Sequence, residues 1–121
     1  MAAPNIVNVT TIYGNTSATL ATTGTVNLVA NTANSGKVYK INSLYISNYQ
    51  GTNATDITIN FVNASNASFS ILSTVSVAAD STLVAITKDT AIYLLEGQYI
   101  QATANIVSSL NCICSWDEIN S

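Results

Sequence analysis

Apolar residues return at every second position of this chain, in short runs that end on Gly, Asn, Asp or Ser. A two-residue period is what a strand with one buried face requires, and no run keeps the three-to-four-residue period of a helix. In the first run Val7, Val9, Thr11 and Tyr13 share one face while Ile6, Asn8, Thr10 and Ile12 share the other, and Gly14-Asn15 reads as a turn. Ala18 and Leu20 mark a short second strand and Val26, Leu28 and Ala30 a third, with Gly24 as the hairpin turn between them. Residues 31–36 read as a loop. The longest strand signal, residues 37–49, carries Tyr39 and Ile41 at odd positions and then Leu44 and Ile46 at even ones. Its apolar face changes near Asn42, as a bulge or a bend between sheets would make it do.

Ile57, Ile59 and Phe61 alternate with Asp56, Thr58 and Asn60, which predicts a strand over residues 55–62. A shorter one follows at Phe69 and Ile71, and Val75 and Val77 continue an extended segment. Three more are predicted over 83–86, 91–94 and 99–103, with Lys88-Asp89 and Glu96-Gly97 where tight turns belong. The closing strand sets Leu110, Cys112, Cys114 and Trp116 on one face against Asn111, Ile113 and Ser115 on the other. Some eight to ten short strands at a spacing of about ten residues describe an all-β, antiparallel β-sandwich of jelly-roll type. No repeat, linker or composition shift divides it, so residues 6–121 are expected to form one domain behind an extended N-terminal arm, residues 1–5.

Composition narrows the function classes. Hydrophobic residues make up an ordinary 48%, but charged residues only 7%, against about 25% in typical domains. The polar surface must be built from Ser, Thr and Asn, as in Asn63-Ala64-Ser65-Asn66-Ala67-Ser68. Three lysines, no arginine and a net charge of −3 cannot neutralise a run of phosphates, so nucleic acid is not an expected partner. No stretch approaches the roughly 18 apolar residues needed to span a bilayer, and Met1-Ala2-Ala3-Pro4-Asn5 does not read as a signal peptide. A soluble chain with no membrane partner is expected.

The inventory for chemistry is bare. Histidine is absent, which removes the commonest general base and metal ligand and any Ser-His or Cys-His pair. The six carboxylates, Asp56, Asp80, Asp89, Glu96, Asp117 and Glu118, fall mostly at turns and strand ends, where Asp serves local hydrogen bonding. Cys112 and Cys114 lack further ligands for a metal, and at about 7 Å on one strand face they are too far apart for an unstrained disulfide. They read as small core residues. Asn8, Asn15, Asn53, Asn63 and Asn66 each open an Asn-x-Ser/Thr triplet, a chance product of this composition rather than a glycosylation signal. Tyr13, Tyr39, Tyr45, Tyr49, Tyr93 and Tyr99 could line a glycan-binding face, but also fit as half-buried strand residues with a wet hydroxyl. Neither catalysis nor a cofactor is expected, and no catalytic, cofactor-binding or metal residue is assigned.

β domains usually guard exposed strand edges with lysines or proline. This chain has few to spare, which favours a component of a repeating assembly, with copies of itself as partners. The segment through Pro4 and Asn5 is expected to lie against a neighbour, because Pro4 cannot donate to a sheet ladder and a short apolar leader gains order from a partner.

Particular stretches carry a family resemblance. The opening Met1-Ala2-Ala3-Pro4-Asn5-Ile6-Val7-Asn8-Val9, the middle Gly36-Lys37-Val38-Tyr39-Lys40-Ile41-Asn42-Ser43-Leu44-Tyr45-Ile46, and Thr90-Ala91-Ile92-Tyr93-Leu94-Leu95-Glu96-Gly97 followed by Ser115-Trp116-Asp117-Glu118-Ile119 resemble small all-β virion structural proteins of tailed phages, marine and cyanobacterial ones in particular. Trp116-Asp117 departs from their common Tyr-Glu pair. The resemblance implies a virion component made in the host cytoplasm and carried on the outer surface of the particle. A capsid decoration or cement protein that reinforces the head is the first expectation, with the major capsid protein or other virion proteins as partners. A tail or neck module that binds a receptor or glycan is the alternative.

Overall fold

In the computed structural model, which describes residues 11–120, the period-two runs become nine strands: β1 (Thr11–Leu20), β2 (Val26–Ala30), β3 (Lys37–Asn48), β4 (Thr55–Val62), β5 (Ser68–Val77), β6 (Thr82–Ile86), β7 (Ile92–Leu94), β8 (Tyr99–Ala104) and β9 (Leu110–Asn120). A 3-10 turn, Lys88–Thr90, joins β6 to β7. One sheet has the order β1-β9-β3-β6, with β7 also paired to β3; the other has the order β2-β8-β4-β5. All pairings are antiparallel. Successive strands alternate between the sheets except at β4-β5 and β6-β7, and this interleaving is the jelly-roll form of a β-sandwich.

The alternation in sequence is what holds the sheets together. Ile57 and Ile59 of β4 and Ile100, Ala102 and Ala104 of β8 face Ile41, Leu44, Ile46, Leu110, Cys112 and Cys114 of the other sheet, all 3% exposed or less. Each fully buried aliphatic side chain of this kind is worth about 1.5–3 kcal/mol of transfer free energy. The apolar parity switch in β3 is a bulge: the register with β9 slips between Ile41 and Ser43, so Tyr39 and Ile41 point inward before it and Leu44 and Ile46 after it. A second irregularity between Asn27 and Val29 turns both Leu28 and Val29 into the core. Val38 and Ile119, cross-strand partners on the opposite face of the sheet, are also buried.

Two turn expectations do not hold. Gly14-Asn15 is not a turn: β1 runs straight through it, with Gly14 opposite Asp117 and Asn15 opposite Trp116. Eleven residues of β9 offer a long template, and ladder pairing along it outweighs the local turn preference of the dipeptide. Nor does Gly24 close a hairpin, because β1 and β2 lie in different sheets. The chain crosses over at buried Ala21, whose amide donates to the Leu110 carbonyl, while the Ala104 amide donates to the Thr22 carbonyl. The strand at Phe69 and Ile71 and the extended segment at Val75 and Val77 are one irregular strand, β5, with Thr74 at φ 51° inside one of its two register slips.

Two buried asparagines at the crossovers are fully paired. The Asn31 amide donates to the carbonyls of Lys37 and Leu94 at 2.9 and 3.0 Å and its oxygen accepts from Ser35 at 2.6 Å. Asn48 repeats the device, donating to the carbonyls of Asn53 and Val77 and accepting from the Gln50 amide.

Candidate interaction surface

Residues opposite one another in an antiparallel ladder share a face. Applying this across the first sheet builds its outer surface row by row. Ala18 lies opposite Ile113, Ile113 opposite Tyr45, and Tyr45 opposite Val84. These four form an exposed apolar row across the full width of the sheet, with Ile113 37%, Tyr45 40% and Val84 48% accessible. The row above it, Leu20, Asn111, Ser47 and Thr82, is uncharged. Two rows below Ala18 runs Gly14, Asp117, Lys40 and Tyr93, with the two charges on the two central strands.

The edges are as uncharged as the face. β1 and β6 border one sheet and β2 and β5 the other, and none of these strands, nor β7, contains a charged residue or a proline. Charge and proline, two of the devices that normally prevent edge-to-edge pairing, are therefore missing from these edges.

One ion pair lies at one end of the inner face. Lys37 Nζ lies 2.6 Å from Glu118 Oε1, and the Asn15 amide donates to Glu118 Oε2 at 3.3 Å. The hydrogen bond and charge of Glu118 hold the Lys37 ammonium above its usual pKa; burial, then Glu118, raises that of the neighbouring Tyr39 phenol. Tyr39 stacks on Trp116 with ring centroids 5.8 Å apart. This cluster ties β1, β3 and β9 together, and its carboxylate is engaged by a lysine and an amide rather than facing a second carboxylate.

Other sequence candidates are dispersed. Among the described residues no three His, Cys, Asp or Glu side chains converge as a metal site would require, and no pocket opens in the surface. Cys112 and Cys114 are each 1% exposed and unbonded, facing the core. Burial pushes the Cys112 thiol up to about 11 and the Cys114 thiol, which also feels Cys112, up to about 12. Of the six tyrosines, Tyr13, Tyr45, Tyr49 and Tyr93 are 40–54% exposed, more open than half-buried strand residues; Tyr45 and Tyr93 alone of these share the outer face rows. Asn63 serves its own turn, accepting from the amides of Ser65 and Ala67. Pro4 and Asn5, the expected assembly contact, and the arm of residues 1–5 lie outside the described residues. Sequence reasoning missed the apolar row, whose members Ala18, Tyr45, Val84 and Ile113 are united only by strand order. No helix is long and apolar enough to cross a membrane among the described residues.

No protein-family model and no curated protein matches the chain. Among solved structures it is similar to a subunit of Bacillus endospore appendages, described as a novel family of disulfide-linked pili: identity is 15%, the alignment covers 99% of this chain and 96% of that one, and the TM-score is 0.55. At this identity the likeness is one of fold.

Proposed function

We propose that this chain is a structural subunit that works by association, many copies building or coating a larger particle, without catalysis. The observation that carries the reading is the set of uncharged, proline-free edge strands, β1, β2, β5 and β6. A freely soluble β-sandwich with such edges is exposed to uncontrolled pairing, whereas a subunit uses them for controlled pairing. The exposed apolar row on the outer face supports the same reading.

In its finer form the proposal is a decoration or cement protein on the outside of a phage head, seated on the major capsid protein. Its support is the resemblance carried by the middle and closing segments of the sequence. A second reading, an extracellular fibre subunit, is favoured by likeness in fold to the Bacillus appendage subunit. In a fibre this chain would pack without covalent links, because both of its cysteines are buried in the sandwich. A tail module stacking sugars on tyrosines has less support, since the exposed tyrosines line no pocket among the described residues.

The test is assembly itself. Purified chain should form higher-order particles in negative-stain images or add in hundreds of copies to phage heads, and Ser73→Lys with Ser76→Lys on edge strand β5 should reduce this while leaving the fold intact. A chain that stays monomeric at millimolar concentration and joins no particle would overturn the proposal.

A further inference from the structure

The outer face of the first sheet carries a pattern that identifies its own partner. Its two central strands, β9 and β3, present opposite charges side by side, Asp117 and Lys40, in one cross-strand row. At the ends of that row stand the extremes of size: Gly14 on β1, where an added Cβ would meet nothing within 4 Å, and Tyr93 on β7, 46% exposed. The chain's described ion pair, Lys37 with Glu118, lies on the other face of the sheet.

A two-fold axis parallel to the strands and midway between β9 and β3 would bring β9 of one copy over β3 of another, and β1 over β6 and β7. Lys40 then faces Asp117 of the second copy, twice, and each Tyr93 faces the bare Gly14 of the other copy. In the apolar row the same operation sets Ile113 against Tyr45 and Ala18 against Val84. Charge meets opposite charge, large meets small and apolar meets apolar under one operation, which is what an isologous contact requires. Aligned sheet-on-sheet packing supplies the geometry. We infer that the outer face of the β1-β9-β3-β6 sheet, from the row of Gly14 and Tyr93 to the row of Leu20 and Thr82 and short of the already buried Val38 and Ile119, is a two-fold contact with a second copy of this chain.

The inference rests on the association reading and names one of its interfaces. Four strands about 4.8 Å apart and some 20 Å of their length give on the order of 400 Å² in projection, about half the area per partner of a standard stable interface. One such contact is therefore weak and concentration-dependent, and gains strength by repetition alongside edge contacts.

Sedimentation of the full chain from micromolar to millimolar concentration tests the inference, with Lys40→Glu and Asp117→Lys each alone and then mixed one to one. Each variant should pair at least about tenfold more weakly than the parent, since like charges then face each other twice. The mixture should regain the parent affinity, although in each chain residues 40 and 117 still have like charge; only a contact between chains can restore it. Gly14→Trp, whose side chain enters open space in a single copy, should weaken pairing to a similar degree and serves if a charge reversal unfolds the chain. Parent-like pairing by the single variants, or by Gly14→Trp, would overturn the inference, as would a mixture that stays monomeric. A parent chain that is monomeric in solution yet joins particles would overturn this interface and leave the association reading standing.

Discussion

At the scale of single residues the buried polar and ionisable groups decide how stability responds to change. The thiols of Cys112 and Cys114, raised by burial from 9.0 to about 11 and about 12, stay neutral in the fold while the unfolded chain can ionise them. A folded-state pKa above the unfolded one means that the contribution is complete below pH 9 and is lost as pH climbs through the folded values. Between about pH 9 and 11 each thiol should cost about 1.4 kcal/mol per pH unit. Urea midpoints at pH 8 and 10.5 should diverge for the parent and much less for Cys112→Ala with Cys114→Ala; equal divergence would contradict the assignment. The Lys37 ammonium, also raised by Glu118, is shared by both proteins and drops out of the difference. Asn48, at the end of β3, should prove with Asn31 the most costly described asparagine to replace: Asn48→Ala strands the carbonyls of Asn53 and Val77 and should destabilise by about 2–3 kcal/mol in denaturant. Asn63→Ala, which loses only exposed turn bonds, should cost about 1 kcal/mol or less. Nothing in the sequence separates the two kinds. In a chain this rich in asparagine, a buried staple and a surface turn residue look alike until the packing around them is known.

At the scale of elements, what was readable was whatever a strand writes along its own length. The alternation over residues 55–62 became β4 with the same bounds, and the parity change near Asn42 became a bulge in β3. What sequence could not supply was which strand would lie beside which. Gly14-Asn15 resembled a turn because the long β9 template that extends β1 through it lies about a hundred residues away. The outer-face rows were hidden for the same reason, since each draws on four strands scattered through the chain. The bulge offers a strict test, because a strand's faces alternate residue by residue. Deleting Asn42, the extra residue, should turn the bulge into regular ladder, with Ile41 opposite Trp116, Ser43 opposite Ser115, and Leu44 and Ile46 still facing the core. The deleted chain should therefore keep a cooperative thermal transition. Loss of that transition would mean that Asn42 does more than offset the register.

At the scale of the whole molecule the scarcity of charge governs how copies meet. Nine charged residues give a net charge of only −3 at pH 7, so repulsion between copies is small and is screened beyond about 10 Å in 0.1 M salt. Attraction between them should draw mainly on edge hydrogen bonds and on apolar area such as the row from Ala18 to Val84, neither of which simple salt screens. The Lys40 and Asp117 pairing would set register more than affinity, because opposite charges at a rim contribute specificity before strength. Raising sodium chloride from 0.1 to 1 M should therefore shift the association constant by less than about threefold, a screened loss at Lys40 and Asp117 being offset by weaker net repulsion. Sodium sulfate at 1 M should tighten association, because excluded salts strengthen the burial of apolar surface. Lowering the pH toward 4.2, where net charge vanishes, should also favour it, since the remaining repulsion is removed. Sedimentation or light scattering across these conditions gives the answer. Dissociation into monomers in 1 M sodium chloride would show that charge, and not the uncharged edges and face, holds the copies together.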